Sequence, residues 1–124
     1  MQLTITGQTP SKKNSRRPYV RAGRIMNFPS KKHEEWVKGA LWELKQYKPM
    51  PKGRVKVDYM FYVQDLRKRD IDNMMASIND ALVKAGIIEE DDWRFLKVSG
   101  ADAMLDRDNP RAEIELLSTK NIEV

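Results

Sequence analysis

Between Arg54 and Ala85 the hydrophobic period of the chain changes from two to about three and a half, and few folds accommodate what results. Val55, Val57, Tyr59, Phe61 and Val63 alternate with Lys56, Asp58, Met60 and Tyr62, the pattern of a strand with one buried face. Past a short polar stretch, Ile71, Met74, Met75, Ile78, Leu82 and Ala85 recur at helical spacing, which makes one apolar stripe. Asp70 stands where an N-cap belongs and Gly86 where a helix stops. A one-faced strand and a one-striped helix must cover each other, so this stretch predicts a helix laid on a sheet.

The flanks extend that pattern. Leu3 and Ile5 predict a first strand over Gln2 to Thr6, and Gly7 to Arg17 reads as a polar loop. Pro18 to Met26 predicts a hairpin turning at Arg21-Ala22-Gly23. Ser30 is an N-cap for a helix whose inner face is Trp36, Val37, Ala40, Leu41 and Leu44, ending near Tyr47 before Pro49 and Pro51. After Gly86, the acidic turn Glu89-Glu90-Asp91-Asp92 leads to a strand from about Trp93 to Ala101, and Arg111 to Leu117 alternates as a last strand. The expected fold is α+β: one domain over 1–124, a mixed sheet of about four to five strands, and two main helices packed on one face.

At 124 residues the chain suffices for one modest core. No apolar run approaches the ~18 residues of a membrane span, and the first residues have neither the basic nor the apolar region of a secretion signal. There is no cysteine, which excludes disulfides, thiolate metal sites and cysteine nucleophiles and fits a cytoplasmic protein. With His33 as the one histidine, neither a Ser-His-Asp triad nor a multi-histidine zinc site is an ordinary option.

The net charge of +5 is unevenly spread. Residues 1–33 carry Lys12, Lys13, Arg16, Arg17, Arg21, Arg24, Lys31 and Lys32 and no acid, whereas the remainder is mildly acidic. A basic N-terminal region, centred on a loop over about 8–33, attracts polyanions. A solvated, solubility-promoting tail would share that composition, but Pro10, Tyr19, Val20 and Ile25 are interleaved in it and suggest an ordered segment.

Chemistry concentrates at Asp70-Ile71-Asp72-Asn73. Ile71 belongs to the apolar stripe, so Asp70 and Asp72 flank it at the helix start and stay near the surface. Two carboxylates so placed suit Mg²⁺, which takes few protein carboxylates and keeps water and substrate phosphates in its other positions. The same acids also serve a structural purpose, as an N-cap and a complement to the helix dipole. A third carboxylate, Asp91 or Asp92, would complete a site for metal-assisted hydrolysis if the following strand ran alongside the one ending near Val63. Arg67, Lys68 and Arg69 beside the acids would hold a phosphodiester against the cation.

The run from Asp65 through Arg69-Asp70-Ile71-Asp72-Asn73, continuing over Asp80-Ala81-Leu82-Val83-Lys84-Ala85-Gly86 to Asp91-Asp92, closely resembles the RusA family of Holliday junction resolvases. The Pro10-Ser11-Lys12-Lys13-Asn14 loop and the closing Arg111 to Leu116 strand resemble it too. The resemblance implies a homodimeric, Mg²⁺-dependent endodeoxyribonuclease, with Mn²⁺ a possible substitute, that nicks four-way DNA junctions symmetrically. It needs no organic cofactor and no membrane. The catalytic aspartates would fall at Asp70, Asp72 and either Asp91 (no gap after Gly86) or Asp92 (one inserted residue). Asn73 would orient the site, while Arg67, Arg69, Lys12, Lys13, Arg16 and Arg17 would contact DNA.

One departure stands out. Well-known members of the family carry a lysine four residues after the second aspartate, and here that position is Ala76. Lys84 lies twelve residues beyond Asp72, too far along the helix at ~1.5 Å per residue to replace it. The charge-stabilising role of that lysine is either lost or supplied from elsewhere. Lys12 or Lys13, in a loop free to fold over the site, is the better candidate for supplying it. The rival expectations are a branched-DNA-binding protein without catalysis, and a nuclease directed at flaps or RNA.

Overall fold

The computed structural model describes residues 1–11, 16–21 and 24–119, with only the backbone described across 16–29. The elements in chain order are β1 (Gln2–Thr6), β2 (Arg16–Arg21), β3 (Arg24–Pro29), α1 (Lys31–Leu44), β4 (Val55–Val63), α2 (Ile71–Lys84), β5 (Leu96–Leu105) and β6 (Arg111–Ser118). Four of the strands form a mixed sheet in the order β1-β6-β4-β5, and β2 and β3 pair separately as an antiparallel hairpin. The architecture is the α+β single domain expected from the sequence.

Alternation along β4 decides which side is covered. Val55, Val57, Tyr59 and Phe61 are buried, and they join Leu3 and Ile5 of β1 with Ala112, Ile114 and Leu116 of β6 in one core. The helices supply Ala40 and Leu44 from α1, and Met74, Ile78, Ala81 and Leu82 from α2. Burial of each large side chain in that set stabilises the fold by about 1.5–3 kcal/mol. The opposite face of the sheet carries Gln2, Lys56, Asp58, Met60, Glu113 and Glu115, all at least partly solvated.

Boundaries in β5 and in the hairpin differ from the sequence expectation. β5 starts at Leu96 rather than Trp93, because Asp92 folds the chain into a turn: its carbonyl accepts from the N–H groups of Phe95 (3.0 Å) and Leu96 (2.9 Å). β5 also runs on to Leu105, held by parallel pairing with β4 through Val63↔Leu105 despite an irregularity at Val57/Asp58. Its outward apolar residues, Val98, Met104 and Leu105, are about half exposed, so they gave no clean alternation. The hairpin is likewise longer than expected, and its turn at 22–23 lies outside the described residues.

The β4–α2–β5 unit sets the positions of the acids. The parallel register pairs Val55 with Leu96 and Val63 with Leu105, so β5 begins where β4 begins. α2 starts beyond the end of β4 and returns along the sheet; Gly86, at φ +75°, turns the chain at its far end. There the Ile87 N–H donates to the Leu82 carbonyl (2.9 Å). No helix among the described residues is long and apolar enough to cross a membrane.

Candidate active site

Asp70 occupies the N-cap position of α2 with extended backbone, φ −80° and ψ 126°, yet its carboxylate makes no capping hydrogen bond. Its carbonyl accepts from the N–H groups of Asn73 (3.1 Å) and Met74 (3.2 Å), which starts the helix without the side chain. The carboxylate instead accepts from Asn73 Nδ2 at 3.3 Å and is exposed. Asp72, in the first turn, is exposed as well, while Ile71 between them packs against the core. An N-cap aspartate ordinarily closes onto the helix N–H groups; here it makes no such bond, and a second exposed carboxylate follows two residues on.

The loop before this pair is fastened on itself. Arg69 Nη1 pairs with Asp65 Oδ1 at 2.7 Å and donates to the carbonyls of Asp65 (3.1 Å) and Arg67 (3.3 Å). Asp65 Oδ1 also accepts from the Arg67 N–H at 3.0 Å. The Arg69 guanidinium, and after it the Arg67 N–H, hold the Asp65 carboxyl below the usual carboxylate range. Arg69, whose side chain is 15% exposed, thus acts within the loop. Leu66, Arg67 and Lys68 are the residues presented outward.

The two candidates for the third aspartate are not equivalent. Asp92 is engaged by Arg94, with Oδ1 accepting from Nε (3.0 Å) and from the backbone N–H (2.9 Å), and Oδ2 from Nη2 (2.9 Å). That guanidinium keeps the Asp92 carboxyl low and occupies both its oxygens. Asp91 is exposed and, among the described residues, accepts no hydrogen bond. Its charge is felt at the buried hydroxyl of Tyr59, which donates to Asn79 Oδ1. The Tyr59 pKa is pushed up chiefly by burial, with a smaller upward contribution from the Asp91 charge.

The structure does not gather the acids within one chain. β5 does run beside β4, as the sequence required, but in parallel, so its start lies at the far end of α2 from Asp70 and Asp72. Asn79, which shares a hydrogen bond with the tyrosine on which the Asp91 charge acts, is already seven residues past Asp72, about 10 Å along the axis. No group of three acidic or histidine side chains able to hold a metal occurs among the described residues. The donor chemistry of the first pair nevertheless fits Mg²⁺: two oxygen ligands from adjacent carboxylates, with the rest left for water and phosphate. The positive end of α2 also favours a phosphate there.

The remaining predicted contacts divide. Arg67 and Lys68 line a cleft of about 780 Å³ with Arg69, Ser30, Lys32 and Trp36, between their loop, the segment after β1 and the start of α1. Arg16 and Arg17 belong to β2, and Lys12 and Lys13 lie outside the described residues. Two ties near Ala76 escaped sequence reasoning. Ser77 Oγ donates to the Pro10 carbonyl at 2.7 Å, and Gln8 Oε1 accepts from the Gln64 N–H at 2.8 Å. The signal for the first was a serine at a buried position of the α2 stripe, where a hydroxyl needs a partner.

A sequence model of the family described as Endodeoxyribonuclease RusA matches residues 8–117. The chain is also 34% identical over 91 residues to the crossover junction endodeoxyribonuclease RusA of Aquifex aeolicus (strain VF5), an alignment spanning 69% of this chain and 68% of that protein.

Proposed function

Because this chain belongs to the RusA family of endodeoxyribonucleases, we propose that it resolves four-way DNA junctions by Mg²⁺-dependent hydrolysis of one phosphodiester in each of two strands. The single observation that carries the reading is the Asp70 carboxylate: it stands at an N-cap, caps nothing, and is exposed, as is Asp72 two residues on. Asp70 and Asp72 would hold the ion, with Mn²⁺ able to take its place. When bound, it supplies an activated water and neutralises charge on the leaving oxygen. Asn73 fixes the Asp70 carboxylate through its amide. Arg67 and Lys68 neutralise the phosphates on either side and set the register of the strand, as cations on the sugar-phosphate backbone do; Arg69 keeps that loop in shape.

The lysine missing at position 76 has a source nearby. The Pro10 carbonyl is bonded to Ser77, one residue past Ala76, and at ~3.5 Å per residue Lys12 and Lys13 are no more than about 11 Å of chain from it. We assign one of them the charge-stabilising role. Arg16 and Arg17, in β2, add two more cations to the same basic segment of the chain.

The homodimer is part of the proposal, and edge strand β5 is the feature that favours it. Its outer edge has no partner strand among the described residues, and Val98, Met104 and Leu105 are half exposed along it. A long edge of that kind is a template for pairing with another chain. Antiparallel pairing of two β5 strands about a two-fold axis would carry Asp91 of the partner subunit from the start of its β5 toward the end where Asp70 and Asp72 sit. The acids that one chain separates would then meet across the interface. Asp92, bound to Arg94, shapes the turn.

The test is cleavage of end-labelled four-way, flap, duplex and single-stranded DNA, and of an RNA duplex, with Mg²⁺ and then Mn²⁺. Paired nicks confined to the four-way substrate are expected. Preference for flap or RNA would keep the chemistry and replace the substrate. Binding without cleavage in either metal would sink the enzyme reading.

A further inference from the structure

Leu66 is 79% exposed, the most exposed of the large hydrophobic side chains among the described residues. A single exposed leucine needs no explanation by itself; its mounting distinguishes this one. The clasp of Asp65 and Arg69 makes four polar contacts inside a five-residue loop, and Leu66 lies within that clasp rather than on a loose segment. Arg67 and Lys68, both exposed, follow it directly, and the loop runs straight into the exposed carboxylate of Asp70. An apolar side chain is therefore presented to solvent on a braced loop, followed directly by two cations and, four residues on, by the first carboxylate of the hydrolytic pair.

We propose that Leu66 is a wedge that enters the base stack of DNA at the branch point, next to the bond that is cut. The inference rests on the function proposed above and adds how the site selects its substrate. Apolar side chains, leucine among them, part base steps in proteins that kink DNA, with nearby cations on the phosphates. In a continuous duplex the wedge must first break a stacking contact. At a four-way branch the stack is already interrupted, so the side chain leaves water against an open base face with little unstacking to oppose it. Arg67 and Lys68 bind phosphates of any DNA; Leu66 makes the contact that only a branch point rewards.

The experiment is done in Ca²⁺ buffer, where binding is read without cleavage. Four-way and duplex DNA carrying 2-aminopurine at the central step are titrated with the full-length protein and with its Leu66→Ala and Leu66→Phe variants. The native protein should raise 2-aminopurine fluorescence in the junction and leave the duplex probe unchanged. Leu66→Ala should abolish the rise and weaken junction binding roughly tenfold with duplex affinity unaltered, and Leu66→Phe should retain both. Circular dichroism on the alanine variant should report an unchanged fold, since the side chain packs on little. If Leu66→Ala binds the junction and unstacks it as the native protein does, or loses junction and duplex affinity equally, the wedge is refuted while the resolvase reading stands. If the native protein itself shows no preference for the junction, both fall.

Discussion

The two ends of α2 carry acidic groups of similar composition and opposite disposition. At its start, Asp70 and Asp72 are exposed, with an asparagine amide the one polar side chain found on either carboxylate among the described residues. Past its end, Asp92 is closed by a guanidinium on both oxygens, while its neighbour Asp91 is open. An acid committed to an arginine is a structural element, and one left in solvent near a helix N-terminus is available to a cation. Partnering, more than residue type, separates the open aspartates, to which we assign the chemistry, from the one held by an arginine in a turn.

The strongest challenge to that contrast is substitution of the open acids. Asp72→Asn should lower Mg²⁺-dependent junction cleavage by roughly 10³-fold or more, leaving junction binding equal or tighter because a negative charge beside phosphate is gone. Asp91→Asn should lose cleavage comparably, whereas Asp92→Asn should change it by only a few-fold; quantified gels under single-turnover conditions would show equal losses at 91 and 92 if partnering is irrelevant. Mixing the Asp72→Asn and Asp91→Asn proteins sharpens the point. If the acids meet across a dimer, re-paired subunits contain one site with both intact, and single-strand nicking reappears. No recovery would place Asp91 in its own chain's site or outside the site altogether.

The smallest expected effect concerns the clasp. Arg69 holds the Asp65 carboxyl below its ordinary value, so the stabilisation is fully present at neutral pH and is lost as pH falls through the lowered folded-state pKa. In the Arg69→Gln protein the Asp65 carboxyl carbon, followed by NMR, should titrate at higher pH, nearer the ordinary carboxylate range, and the loop amides should exchange faster. A titration identical to that of the native protein would deny the clasp its role.

Sequence periodicity was sufficient where one face is buried, and insufficient where burial is shared or absent. β4 and the stripe of α2 were legible because Val55, Val57, Tyr59, Phe61, Ile78 and Leu82 are wholly enclosed. β5 was legible only in part: it is an edge strand with half-exposed apolar residues, and an Asp92 turn displaced its start. The aspartate pair was visible as residue types, but whether Asp70 capped the helix is a matter of one rotamer. What distinguishes Asp91 from Asp92 is Arg94, which binds Asp92 from two residues away and has no meaning in the sequence until the turn is drawn. The separation of the acids was invisible because a parallel and an antiparallel β5 share the same alternation, and only the pairing direction moves Asp91 to the far end of α2.

Cation binding at the start of α2 can be measured without any DNA cleavage. Titrating Mn²⁺ into the protein and following the free-ion electron paramagnetic resonance signal counts bound metal directly. The native protein and Asp92→Asn should take up Mn²⁺ saturably and with similar affinity, and Asp70→Asn/Asp72→Asn should leave the free-ion signal at its protein-free value. Undiminished uptake by that double variant would contradict the assignment of the pair at its root.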